Sequence, residues 1–404
     1  MSAFGVVVTA RRSRRALLIV AVSLAALVAT GCQSSNSPTS SARGPNAIPA
    51  ELIQPTITID PATYTTGVRP SATVHVDAKD GKLTKVVVVD QKSHRVKGTI
   101  SADGTTYAST GKLQLARHYV VRAFAVGIKG TRSTQVSYFD TIKPKGLLTT
   151  AISPLGGSTM GVGMPIIVRF SHPVHRRAVV ERRLTVHTDK RIVGAWNWIS
   201  STEVHYRPRT YWPAYTHVQI HVHLMGVNAG RGIWGNENRT VAFDTGPSMI
   251  SVVNVKKDTL TVHRNGKVVR VIPVTTGKAD FLTRNGIKVI LEKFVSHIMD
   301  SRTVGIPMSS PDFYRIDVPY AMRVTWSGEF VHAAPWSVAS QGRENVSHGC
   351  VGMSMSNGIW LFNRSLVGDV VQVVGSPRPL EPGNGYTDWN VPWSTWTAGS
   401  ALHS

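Results

Sequence analysis

Cysteine is almost absent: the 404 residues hold two, Cys32 and Cys350. That excludes a disulfide-stapled scaffold and a cysteine-rich metal cluster. Acidic residues are scarce too, 23 Asp and Glu against 45 Lys and Arg, for a formal net charge of +22. Such a field concentrates polyanions, although basic residues also serve solubility alone. No nucleic-acid-binding motif occurs, so nucleic acid is not expected as a partner. Outside one N-terminal segment there is no apolar run long enough to cross a bilayer. Between residues 53 and 245 no helical periodicity is sustained, which excludes a helical bundle there.

What is present begins with an export signal. Arg11, Arg12, Arg14 and Arg15 precede an uncharged apolar run from Ala16 to Ala29 that leads into Thr30-Gly31-Cys32. Basic charge, a short apolar stretch and small residues before a cysteine have the form of a lipoprotein signal peptide over residues 1–31, with Cys32 as the lipidated first residue. The alternatives are an ordinary signal peptide or an uncleaved anchor. Residues 32–51 are rich in Ser, Asn and Pro and read as a tether. The expectation is a lipid-anchored protein in the cell-wall space, on the outer face of the cytoplasmic membrane. Losing four arginines and no acids takes the charge from +22 to +18, so anionic wall polymers and phospholipid head groups are the expected counterparts.

The body of the chain is mainly β. Short runs of Val, Thr, Ile and Tyr alternate with turn signals at Ile57–Ile59, Ala72–Val76, Val86–Val89, Tyr119–Val126 and Val136–Phe139, and again at Ile166–Phe170, Leu184–His187, Glu203–Tyr206 and Val218–Leu224. This texture predicts two tandem Ig-like β-sandwiches, over 52–146 and 147–247. A proline at the mouth of a strand in each, Pro70 and Pro165, is a faint internal echo. His217, His221 and His223 share one strand face, but with no acidic or thiol ligand beside them they read as a polar face, not a metal site.

A third, β-rich domain is expected over 248–376. Leu260–Arg264 and Lys267–Val274 flank Asn265-Gly266, the signal of a type I′ hairpin. Met299–Pro319 reads as a long lid loop holding Tyr314. Ile359, Trp360, Phe362 and Leu366 have helical spacing, which predicts a short helix capped by Ser356 and ended by Gly368, before a strand at Asp369–Val374. In the tail, 377–404, Trp389, Trp393 and Trp396 are expected to pack back onto the domains.

With Cys32 lipidated, Cys350 has no disulfide partner, and an unpaired thiol in an exported protein is a candidate nucleophile. It lies in Val346-Ser-His-Gly-Cys-Val-Gly352. A thiolate is stabilised by a nearby imidazole. His348 stands too close in sequence to be aimed at its neighbour's sulfur. His332 lies 18 positions upstream and is assigned as the base. Gly349 lets the chain bend so that the amides of His348, Gly349 and Cys350 converge as an oxyanion site. The reaction class is acyl transfer through a thioester, with no cofactor and no metal. Papain-like and NlpC-like peptidases place cysteine before histidine, the reverse of the order here. A zinc site from Cys350, His348 and His332 lacks a fourth ligand and leaves the Gly-Cys turn without purpose.

His332 followed by Ser347-His348-Gly349-Cys350 resembles the YkuD-type L,D-transpeptidases. EFVHAAPWS (Glu329–Ser337), TRNGIKVI (Thr283–Ile290), VHYRPRTYWPA (Val204–Ala214) and DWNVPWSTW (Asp388–Trp396) resemble the mycobacterial and related actinobacterial members, which have a lipoprotein-type N-terminus, two Ig-like domains and a C-terminal catalytic domain. The resemblance implies cleavage before the terminal D-alanine of a peptidoglycan tetrapeptide stem, a thioester on Cys350, and transfer to the diaminopimelate amine of an acceptor stem, giving a 3→3 cross-link. It implies that the Ala333 carbonyl orients His332, that Tyr314 stands on the oxyanion or donor-stem side, and that Ser327, Gly328, Met299 in the lid, Trp336 and Ser347 line the cleft. Carbapenems are expected to acylate Cys350. The family usually has Asn where this chain has Gly352, which removes a side-chain amide facing substrate. The competing readings are a non-catalytic wall-binding lipoprotein and an L,D-carboxypeptidase or other hydrolase.

Overall fold

The computed structural model describes residues 53–402. The expected signal peptide, the Cys32 lipidation site and the tether through Glu51 lie outside the described residues. Within them no helix is long and apolar enough to cross a membrane.

Alternating burial builds the first sandwich. Strand His118–Gly127 buries every second residue, Tyr119, Val121, Ala123 and Ala125 among them, so one face is apolar. It sits in a four-stranded sheet of Thr65–Val68, Arg132–Thr141, His118–Gly127 and Gly81–Asp90. A second sheet, Thr56–Asp60, His75–Lys79, Thr106–Ser109 and Gly98–Ile100, closes the core with Val74, Val76 and Tyr107. The strand expected at Ala72–Val76 begins three residues later, at His75. The second sandwich pairs Thr150–Ser153, Ile166–Phe170, Glu203–Pro208 and Gly194–Trp198 against Thr159–Met160, Asn238–Thr245, His217–His223 and Leu184–Thr188. Its core gathers Ile166, Val168, Trp212, Ile220 and Phe243. His217 and His223 lie on the outer face of their strand, and, contrary to the sequence reading, an acid stands beside one: His217 Nδ1 is 2.8 Å from Asp244 Oδ1. Cross-strand pairing supplies that partner.

The third domain holds a five-stranded sheet, Lys267–Pro273, Thr259–Arg264, Met249–Asn254, Val370–Val374 and Gly286–Val289. Asn265 (φ 49°) and Gly266 (φ 80°) both take left-handed backbone, the geometry a type I′ hairpin demands. The second sheet is Glu292–Asp300, Arg315–Arg323, Phe330–Ala333 and Val351–Met353. The two ends of the expected lid are therefore a paired ribbon: Asp300 lies opposite Arg315 and Ser296 opposite Pro319, leaving Ser301–Tyr314 as the loop. The ribbon escapes sequence reading because its strand Glu292–Asp300 is largely open to solvent and lacks period-two burial. The helix runs Met355–Arg364, with Ser354, not Ser356, accepting the Asn357 N–H and Ser365 at its C-cap. Its Leu361 reaches the core, with Trp360 and Phe362 packed against the same cluster.

The tail crosses back over the second sandwich. Trp389 donates to the Gly163 carbonyl (2.7 Å) and the fully buried Trp396 to that of Ala195 (2.9 Å). The Arg207 guanidinium lies 4.6–5.3 Å from the rings of Trp389, Trp393 and Trp396, a cation–π cluster. Beside it, His205 bridges Asp388 of the tail (2.6 Å) and Glu203 (2.7 Å).

Candidate active site

Two short parallel strands, Phe330–Ala333 and Val351–Met353, set His332 opposite Gly352, with Cys350 immediately before the second strand. The turn into Cys350 is held by its own side chains. Gly349 adopts φ +115°, open to glycine and strained for other residues. Ser347 Oγ donates to the Cys350 carbonyl (2.7 Å) and accepts the Gly349 N–H (3.1 Å), while Thr283 Oγ donates to the Gly349 carbonyl (2.9 Å). The Gly349 amide is thus engaged inside the turn at rest, so the expected convergence of three free amides is corrected: the Ser347 hydroxyl takes one of them.

Cys350 and His332 open into one cavity of about 280 Å³. Met299, Tyr314, Trp336, Ser347, His348 and Gly352 line it with them. So do Thr275, Ile316, Val318, Ala334, Ser337 and Val346, which carry no sequence signal of their own. His332 Nδ1 donates to the Ala333 carbonyl (2.8 Å), which leaves Nε2 as the basic nitrogen, and Trp336 stacks over the ring at 5.8 Å. Met299 lies in a strand and is not in the loop. The imidazole of His348 is engaged elsewhere, its Nε2 3.2 Å from Asp312 Oδ1 and its ring against those of Phe281 and Tyr314.

Cys350 belongs to an apolar cluster with Met299, Val318, Ala321 and Phe330. Burial pushes its thiol up to about 12, against a partial offset from the Phe330 backbone and a smaller rise from Glu329. Burial likewise lowers His332 to about 4, with the bond to Ala333 opposing. At neutral pH these shifts make the resting pair thiol and neutral imidazole, not the thiolate that the motif suggests, because burial disfavours both charges. Tyr314 is raised to about 12, by burial first and then by the Cys350 charge, so its hydroxyl remains a donor.

Ser327 and Gly328 do not line the cavity. Gly328 nevertheless touches the thiol, its carbonyl 3.8 Å from Cys350 Sγ. Ser327 is pinned from behind: its N–H donates to Asn384 Oδ1 (2.9 Å) and its hydroxyl accepts from Asn384 Nδ2 (2.8 Å). Under the Ser-His-Gly-Cys turn, Glu329 is buried with Lys288 and Arg284; Arg284 donates to Glu329 Oε1 from its backbone (2.9 Å) and its guanidinium (3.1 Å), and Lys288 Nζ bonds Oε2. These charges lie far apart in sequence and form no motif. At Gly352 the backbone pairs both ways with Thr275 (2.9 Å each), and a Cβ there would meet the Ala334 methyl at 3.0 Å and Thr275 Cγ2 at 3.2 Å. An Asn there would therefore need Ala334 or Thr275 to give by a few tenths of an ångström. Among the described residues no group of three His, Cys, Asp or Glu is arranged to hold a metal.

The sequence pattern of the bacterial Ig domain matches residues 65–228, and that of the L,D-transpeptidase catalytic domain matches 248–373. The chain is 37% identical over 353 residues to L,D-transpeptidase 2 of Mycobacterium tuberculosis, covering 87% of this chain and 86% of that protein. It is 32% identical to L,D-transpeptidase 5 of the same species, over 86% of this chain and 77% of the relative. A solved L,D-transpeptidase in complex with imipenem shares 40% identity and a TM-score of 0.50 over 57% of this chain and 99% of its own. With Ig-like sandwiches, a catalytic domain of this pattern and full-length relatives of this similarity, the chain belongs to the L,D-transpeptidase family.

Proposed function

We propose that this L,D-transpeptidase forms 3→3 cross-links between diaminopimelate residues of peptidoglycan stems, with Cys350 as acyl carrier and His332 as base. The observation that carries the reading is one cavity shared by the sulfur and an imidazole whose Nδ1 is fixed on the Ala333 carbonyl. As sulfur attacks the stem carbonyl, His332 Nε2 takes the thiol proton. The C–S bond forms, the C–N bond to the terminal D-alanine breaks, and the same proton goes to the leaving amine. In the second half the acceptor amine attacks the thioester, its proton passing through His332 back to the departing thiol.

Because the resting thiol is neutral, deprotonation and attack are coupled, and the base does its work in the transition state. The Tyr314 hydroxyl and the Cys350 amide are assigned to the developing oxyanion. The chain is placed at the outer face of the cytoplasmic membrane through lipidated Cys32, on the strength of its N-terminal pattern, and carbapenems are assigned to the same sulfur.

Mass spectrometry after meropenem exposure tests the nucleophile: an adduct on the Cys350 peptide is expected, absent in Cys350→Ala. Muropeptide profiling of a C350A strain tests the product. Unchanged 3→3 content with this as the sole transpeptidase supplied overturns the cross-linking role. His332→Ala is expected to slow acylation by about 10²–10⁴-fold.

A further inference from the structure

Between the two Ig-like sandwiches lies a second cavity, about 450 Å³, larger than the catalytic one. Its walls come from both modules, which approach closely at Pro70 and Gly226: a Cβ on Gly226 would stand 2.9 Å from Pro70 Cβ. Arg69 and Lys112 face it from the first sandwich, and Arg176, Arg183 and His223 from the second. No carboxylate lines it.

Elsewhere this chain pairs its cations where an acid is in reach, as in Arg169 with Glu203 and Arg323 with Glu292. The side chains of Arg69, Lys112, Arg176 and Arg183 have no ion-pair or hydrogen-bond partner among the described residues. Their backbones are fixed: Arg176 N–H on Ala229 (3.0 Å), the Arg183 carbonyl on His223 N–H (3.0 Å), and Leu113 N–H, next to Lys112, on Pro70 (3.1 Å). The four side chains are exposed to solvent, so their repulsion is partly screened, but they line one concavity with no acid among them and together present a positive field there to an anion.

We propose that this inter-module cavity is a binding site for a phosphate-bearing ligand, distinct from the catalytic cleft. A single carboxylate brings one charge to a site presenting four. Phosphoryl groups bring several in a small volume, and three guanidinium forks match their oxygens. The chemistry is shared by two sources, a soluble phosphate polymer and a phospholipid head group. Occupancy also locks the angle between the sandwiches, because both modules supply cations.

Calorimetry on the whole chain tests this with pyrophosphate and tripolyphosphate as soluble probes and monomeric dihexanoyl-phosphatidylglycerol as the head-group probe. Binding of either class, weakened about 30-fold or more by Arg176→Glu with Arg183→Glu, is expected. Which probe binds more tightly identifies the source. Lys256→Glu with Lys257→Glu makes the same charge change on an exposed turn and is expected to leave binding nearly intact. Three results overturn the proposal: no binding of any probe, equal weakening by the two double variants, or citrate binding as tightly as tripolyphosphate. Acylation of Cys350 by meropenem in R176E/R183E, expected unchanged, shows that the variant is folded and that any loss is local.

Discussion

Alkylation of Cys350 as a function of pH gives the sharpest check on the electrostatics of the site. Burial moves the thiol from 9.0 to about 12. At pH 7 that lowers the thiolate fraction about a thousandfold relative to an ordinary cysteine. A thiolate of higher pKa is intrinsically more nucleophilic, by a Brønsted slope of about 0.4–0.5, which recovers about 20-fold. The net expectation for iodoacetamide is a rate about 50-fold below that of an exposed cysteine at the same pH. More telling than the height is the shape: the log rate climbs with a slope near one through about pH 9.5 and does not level off. Narrow access through the cavity lowers the whole curve without bending it. Mass spectrometry of quenched time points, with Cys350→Ser as the blank, supplies the rates. A plateau with its midpoint below about 8 refutes the reasoning, since it reports a stabilised thiolate of the papain kind.

Glu329→Gln leaves the Lys288 ammonium, 1% exposed, without its carboxylate, and is expected to cost about 3–5 kcal/mol in denaturant unfolding; Lys288→Met with Glu329→Met recovers most of it. His205 is raised from 6.5 to about 9; burial opposes the shift, and its bonds to Asp388 and Glu203 outweigh it. A raised folded-state pKa stabilises fully below 6.5 and is lost as pH rises through about 9, so up to about 3 kcal/mol should disappear over that window. Thermal melts from about pH 6.5 to 9.5 check this: the decline should be much smaller in His205→Asn, and an identical decline refutes it. Asn384→Ala removes two hydrogen bonds that hold Ser327 beside the Gly328 carbonyl, and at about 1 kcal/mol each is expected to slow meropenem acylation by up to about 30-fold. Acylation at the wild-type rate would show that the loop is held without the tail.

Local chemistry made parts of this protein readable in one dimension. Asn265-Gly266 forms its hairpin because left-handed backbone is cheap for those residues, and the strands of both sandwiches show because a half-buried strand must alternate. The Ser-His-Gly-Cys turn carries its own stapling groups, Ser347 Oγ and the positive φ of Gly349, within four residues. Tertiary structure decided what depends on distant neighbours. The ribbon Glu292–Asp300 with Arg315–Arg323 is specified by pairing, not by period. The partners of His348, Ser327 and Glu329 arrive from Asp312, Asn384 and Lys288. The sulfur's charge was beyond sequence for the same reason: the motif names a nucleophile, but its protonation is set by how much water Met299, Val318 and Phe330 exclude once separate strands bring them together.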